Sequence, residues 1–204
     1  MKSRMTGDCH VRFCESFSLK CLILLDYDHF QGNLLAPIEL IEYGDFQCAY
    51  CAEVYTVIKY LQECYGNRLK FVYRHYPIST QHPLAVQAVV AAEAAALQGK
   101  FWYMHDMIYE NQKYLTRASF SEFAREIDLD TEAFEDCRGH RKLYRKVIGD
   151  FEGGVKSDLD STPTFFINGV RYNGFDDFDS LSSALENANH FQYSAPERAI
   201  RNLR

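Results

Sequence analysis

The sequence predicts an α/β fold in which a β-α-β unit and a later β-β-α unit build one sheet, with a helical subdomain inserted between them. Two short runs rich in β-branched and aromatic residues, 38–43 and 69–76, flank a segment of helical periodicity. Residues 80–155 then read as helices throughout, and strand patterning returns only around Asn168-Gly169. The expected division is an N-terminal extension at 1–36, sheet-forming pieces at 37–79 and 156–190, the insertion at 80–155, and a C-terminal tail at 191–204.

The segment Asp28-His29-Phe30-Gln31-Gly32-Asn33 reads as a turn and Ala36-Pro37 as the lead into an extended strand. Ile38 to Tyr43 is that strand, bounded by Pro37 and Gly44. From about Cys48 to Tyr65 the pattern is helical, because Val54, Val57, Ile58 and Leu61 fall on one face. Gly66-Asn67 stops the helix, and Leu69 to Tyr76 is the second strand, ended by Pro77. A strand, helix and strand in this order favour a parallel pair with a right-handed crossover. In the insertion, His82-Pro83 opens an alanine-rich helix that runs to about Gln98 and stops at Gly99. Further amphipathic segments cover 101–112, 119–127, 130–137 and 139–151, with Gly153-Gly154 read as a bend. Thr164 to Ile167 is a strand, Asn168-Gly169 a tight hairpin turn, Val170 to Asn173 the returning strand, and 176–189 the closing helix.

Composition narrows the function. The chain has 204 residues, 47% apolar and 25% charged, enough to bury a core without disulfide staples. No run approaches the ~20 apolar residues of a membrane span. With 22 basic against 28 acidic residues the net charge is −6, which disfavours nucleic-acid partners, and Arg198, Arg201 and Arg204 read as a solvated end. Lys2 and Arg4 are not followed by a signal-peptide core, since the only unbroken apolar run is Cys21 to Leu25; a cytoplasmic location is expected.

Seven cysteines at irregular spacing do not make a secreted disulfide framework. Cys48 and Cys51 are spaced C-x-x-C, and chance alone would give about 0.2 such pairs, so context decides. Cys48 falls where the first strand hands over to the first helix. Free backbone N–H groups and the positive dipole end favour thiolate there, and thiolate is the attacking species in disulfide exchange. Cys51, one turn on, is placed to resolve a mixed disulfide on Cys48. The competing reading, a structural zinc half-site, lacks a second ligand pair of usual spacing, and Cys9, His10, Cys14 and Cys21 match no knuckle. No metal ligand and no cofactor-binding residue is assigned. Cys64 lies about 160° around the helix and roughly 24 Å along it from Cys48, so it reads as core rather than as a redox partner. Cys137 reads as buried, His75 and His82 as structural histidines near the cleft, and Trp102, Tyr103 and His105 as packing of the insertion. Taken alone, Thr162-Pro163 is an ordinary trans strand lead, because cis bonds make up only about 5–6% of X-Pro bonds.

The run Glu42-Tyr43-Gly44-Asp45-Phe46-Gln47-Cys48-Ala49-Tyr50-Cys51, with Tyr73-Arg74-His75-Tyr76-Pro77, His82-Pro83, Gly99-Lys100-Phe101-Trp102 and Thr162-Pro163-Thr164-Phe165-Phe166-Ile167-Asn168-Gly169, resembles the DsbA-like thiol oxidoreductases of the thioredoxin superfamily. The resemblance spans residues 28–190. It implies a thioredoxin-like fold with a helical insertion and a cis Pro163 beside the Cys48 sulfur. It also implies a Thr162 backbone open to an extended substrate, with Ala49 and Tyr50 as further substrate contacts. Glu42 takes the place of a buried acid that exchanges a proton as Cys51 reacts. The dipeptide Ala49-Tyr50 departs from the proline or proline-histidine of many members and supplies no cation. A less stabilised thiolate then places the expected potential closer to thioredoxin, about −270 mV, than to DsbA, about −120 mV.

The leading expectation is a dithiol–disulfide oxidoreductase acting on protein thiol or disulfide substrates, with an unidentified redox partner and no cofactor. A glutathione-linked small-thiol reductase and a non-catalytic peptide-binding or chaperone module are the alternatives.

Overall fold

A computed structural model describes residues 28–141 and 143–193; the readings made on the first 25 residues, including Cys9, His10, Cys14 and Cys21, and on the terminal arginines lie outside the described residues. Five strands form one sheet in the order β1-β3-β2-β4-β5, where β1 is His29–Gly32, β2 Ile38–Gly44, β3 Leu69–His75, β4 Thr164–Ile167 and β5 Val170–Arg171. Strands β2 and β3 are parallel and joined through α1, Ala49–Tyr65. The other pairs are antiparallel. The fold is thioredoxin-like, with α2 (Ala85–Ala96), α3 (Phe101–Glu110), α4 (Ser119–Glu126), α5 (Thr131–Arg138) and α6 (Tyr144–Lys156) between β3 and β4, and α7 (Phe178–Tyr193) closing the chain.

Strand alternation divides the sheet into two faces. Ile38, Leu40, Leu69, Phe71, Tyr73, Phe165 and Ile167 join the main core with Val54, Ile58 and Leu61 of α1 and Leu181 and Leu185 of α7. Ile41, Tyr43, Val72 and Tyr76 make a smaller core on the opposite face with Leu159. Helix α6 covers that face: Phe151 stacks on Tyr76 with ring centroids 4.8 Å apart. Glu42, in register with Tyr73, therefore points to the main-core side, as does the end of β3 at His75.

Several local expectations are corrected. Residues His29–Gly32 form an edge strand rather than a turn, because the free edge of β3 supplies backbone partners that H-F-Q-G does not advertise. The strand stops where the chain turns at Gly32, φ +89°, whose absent Cβ would lie 2.1 Å from the Leu69 carbonyl oxygen. Gly153-Gly154 is no bend but the interior of α6; a Cβ on Gly154 would meet the Tyr76 ring at 2.6 Å, so its smallness serves a close approach of helix to sheet. Cys64 is exposed, since it falls on the solvent side of α1, and Tyr103 is exposed rather than packed. The alanine-rich helix begins at Ala85, two residues after His82-Pro83, and the returning strand is only two residues long. At the hairpin, Asn168 and Gly169 both take positive φ, as the turn reading expects.

Candidate active site

Cys48 is the N-cap of α1, with extended backbone (φ −69°, ψ 122°) and no acidic residue in the first turn. The loop before it is tied down from several sides. The Asp45 carbonyl accepts from Cys48 N–H at 3.0 Å. Its buried carboxylate accepts from the backbone N–H of Gln47 at 2.8 Å and of Ile78 at 2.7 Å, and is paired with His82 Nδ1 at 2.8 Å. The Gln112 amide donates to the Phe46 and Cys48 carbonyls. Asp45 and Gln112 are residues of this corner to which the sequence assigned no role: Asp45 entered only as part of the Glu42–Cys51 run, and nothing in the pattern around Gln112 ties it to the Cys48 loop.

Across the gap, the Cys48 thiol donates to the Thr162 carbonyl at 3.2 Å, and the Thr162–Pro163 bond is cis. The structure thus brings Cys48, Cys51, Thr162 and Pro163 to one corner, at the carboxyl end of β2. Ala49 and Tyr50 are exposed beside it, with Tyr50 70% exposed. Glu42 is buried, 3% exposed, six residues ahead of Cys48 on β2.

The two thiols are chemically unlike. Cys48 is lowered to about 5, first by the hydrogen bond from the Cys51 thiol, against the opposing effect of burial, and then by the Thr162 side chain and the backbone N–H groups of Cys51 and Tyr50. The Thr162 hydroxyl is buried with no hydrogen-bond partner among the described residues, which leaves it free to donate to a thiolate. Neutral donors thus hold the Cys48 thiolate in place of the cation that the dipeptide between the cysteines lacks. Cys51 is pushed up by burial, by its bond to Cys48 and by the charges of Glu42 and Cys48. Its sulfur accepts from the Asp45 N–H at 3.5 Å.

Glu42 is raised to about 8, first by burial and then by the charges of Asp176 and Cys48. Its Oε1 has no hydrogen-bond partner in the described structure. Beside it lies a cavity of about 10 Å³ lined by Gln31, Lys59, Gln62, His105 and Tyr109 among others, roughly the room one water needs. The arrangement can hold one thiolate exposed to an incoming sulfur, one neutral thiol behind it, and a carboxyl able to take or give a proton near neutral pH.

The sequence profile described as Thioredoxin matches residues 25–187. Among solved structures, the chain is similar to a thioredoxin-like oxidoreductase from Silicibacter pomeroyi DSS-3 (TM-score 0.70, 22% identity, 85% of this chain and 97% of that one). It is similar to α-DsbA1 of Wolbachia pipientis (TM-score 0.72, 18% identity, 82% and 93% covered) and to oxidised BdbD of Bacillus subtilis (TM-score 0.72, 19% identity, 80% and 93% covered). At these identities the likeness establishes the fold. Among curated proteins it is 37% identical over 163 residues to the Na(+)/H(+) antiporter NhaA 1 of Salinispora arenicola, covering 80% of this chain and 25% of that protein. It is 40% identical over 163 residues to NhaA 1 of Mycolicibacterium vanbaalenii, covering 79% and 26%. The chain spans about a quarter of the length of the curated relatives it matches. Among the described residues no helix is long and apolar enough to cross a membrane.

Proposed function

The chain belongs to the thioredoxin family, and we propose that it is a dithiol–disulfide oxidoreductase exchanging disulfides with protein thiols. In the oxidising direction for the chain, the Cys48 thiolate attacks one sulfur of a substrate disulfide, and the other substrate sulfur leaves as thiolate. Cys51 then gives its proton to the Glu42 carboxylate and attacks the Cys48 sulfur. The second substrate thiolate leaves, and the Cys48–Cys51 disulfide holds the two electrons' worth of oxidation that the substrate lost. The reverse sequence oxidises a substrate dithiol, with Glu42 returning the proton. An extended substrate lies along the Thr162 backbone and Pro163 and over Ala49 and Tyr50.

The observation that carries this reading is the placement of two thiols one helical turn apart, Cys48 at the start of α1 against the Thr162 carbonyl and Cys51 buried behind it, which lowers the first to about 5 and raises the second. A thiol near 5 sits between thioredoxin, about 7, and DsbA, about 3.5, so the potential is expected between about −270 and −120 mV, higher than the cation-free dipeptide alone suggests. The exposed thiol of Cys64 supports cytoplasmic action as part of the same proposal. Incubating Cys51→Ser with a disulfide-bonded test protein should trap a mixed disulfide on Cys48, and Cys48→Ser should trap none. Trapping by Cys48→Ser alone would reverse the roles, and trapping by neither would overturn the activity.

A further inference from the structure

Outside the thiol corner, His29 of β1, His75 of β3 and Glu93 of α2 converge. The two Nε2 atoms lie 2.7 and 2.8 Å from the same carboxylate oxygen, Glu93 Oε1. One ligand atom from each residue lies within 4.8 Å of the others. Glu93 is wholly buried, and its second oxygen, Oε2, has no hydrogen-bond partner in the described structure. An ionised carboxylate with one oxygen idle in the interior is costly. Hydrogen bonds to the two imidazoles leave that oxygen bare and the buried charge without a dedicated counter-ion, which a cation held by the carboxylate and both rings supplies.

We propose that His29, His75 and Glu93 bind a divalent transition-metal ion, with zinc(II) the ion this donor set fits. Two imidazoles and one carboxylate form a three-ligand zinc set with a fourth position for water. Bonds of about 2.0–2.2 Å require neighbouring ligand atoms to lie ~3.3 Å apart, so each N···O gap opens by roughly half an ångström on binding. His29 is the more accessible ligand: it stands on a four-residue edge strand, stacked on Phe101 with ring centroids 3.5 Å apart, and its side chain is 12% exposed, which gives the ion its way in. His75 is fixed by ring contacts with Phe46, Tyr73 and Phe101. Each Nε2 now faces the carboxylate as a donor. On binding its lone pair goes to the metal, and its proton moves to Nδ1 or leaves to solvent. His75 Nδ1 has no hydrogen-bond partner in the described structure and is open to that proton. The sequence reading assigned no metal ligand, and the strand that carries His29 read as a turn, so nothing brought the three residues together. The bound ion would fasten the edge strand and the first helix of the insertion to the central sheet.

The test uses the full chain carrying Cys48→Ser and Cys51→Ser, with its remaining thiols alkylated, so that sulfur cannot supply ligands. Titration with zinc(II) alone should show one equivalent bound and a raised melting midpoint. Cobalt(II) in its place should give visible d–d bands without the intense near-ultraviolet sulfur-to-metal transition. His29→Ala in the same background should weaken zinc(II) binding at least tenfold. No binding by the alkylated chain, or undiminished binding after His29→Ala, overturns the site. The thiol-free background makes this outcome independent of the oxidoreductase reading, which is decided by trapping on Cys48.

Discussion

Glu42 and Glu93 are both buried carboxylates, 3% and 0% exposed, yet the protein drives them in opposite directions. Burial is the largest influence on each and raises both. At Glu42 the neighbouring charges, Asp176 and Cys48, are negative and add to burial, and one oxygen has no partner. At Glu93 the charge of His29 and hydrogen bonds from His29 and His75 outweigh burial and hold the acid well below the usual carboxylate range. The charge of a buried acid is thus set by what faces it rather than by depth. One corner keeps an acid raised to about 8, suited to the proton exchange proposed for it; the other keeps an anion held by two imidazoles.

The sharpest separation comes from substitutions at the two corners. Cys48→Ser should reduce disulfide exchange by a factor on the order of a thousand or more, while His29→Ala retains most of it; exchange assays on both variants check this. Equal loss in both would mean that the two corners are not functionally distinct.

On stability the order reverses. Glu93→Gln breaks a buried charged cluster and should destabilise the fold by about 3 kcal/mol in denaturant unfolding. A loss below ~1 kcal/mol would mean that the His29 and His75 contacts do not hold the anion.

Glu42→Gln should move the other way. The folded carboxyl is raised from 4.5 to about 8, so between those values the folded state holds more protons than the unfolded chain, and the wild type loses stability as pH rises through that window. The glutamine variant escapes this loss. It should match the wild type near pH 4 and exceed it by about 4 kcal/mol at pH 8, while resolving mixed disulfides more slowly. Equal stability across the window would show that Glu42 is not held protonated.

Gly154→Ala should cost about 1–3 kcal/mol by driving a methyl into the Tyr76 ring, without altering the Cys48 titration. Cys64→Ser, on an exposed helix surface, should change stability by less than ~0.5 kcal/mol.

The contrast between the two corners also marks how much was legible in the sequence. The β-α-β unit was readable because Ile38 to Tyr43 and Leu69 to Tyr76 are bounded by Pro and Gly, and the C-x-x-C position followed from the strand-to-helix junction. The cluster around Glu93 was not. His29 sits on an edge strand whose identity depends on a partner strand some forty residues later, and Glu93 lies unmarked in an alanine-rich helix. Within the active corner, the helix-start position of Cys48 pointed to a thiolate, but two of its donors, the Cys51 thiol and the Thr162 side chain, were not legible, because chain folding supplies them rather than the dipeptide between the cysteines. Gly154 read as a bend for the same reason: the ring it accommodates belongs to a distant strand.

The central claim is that fold position alone makes two thiols three residues apart into an attacking thiolate and a protonated reserve. The rate of alkylation at Cys48, followed by mass spectrometry of the reduced chain from pH 3 to 10, tests it directly. The account predicts a Cys48 midpoint near 5, with Cys51 unreactive until well above 9. A Cys48 midpoint near the ordinary thiol value of about 8.5, or Cys51 reacting first, would contradict it.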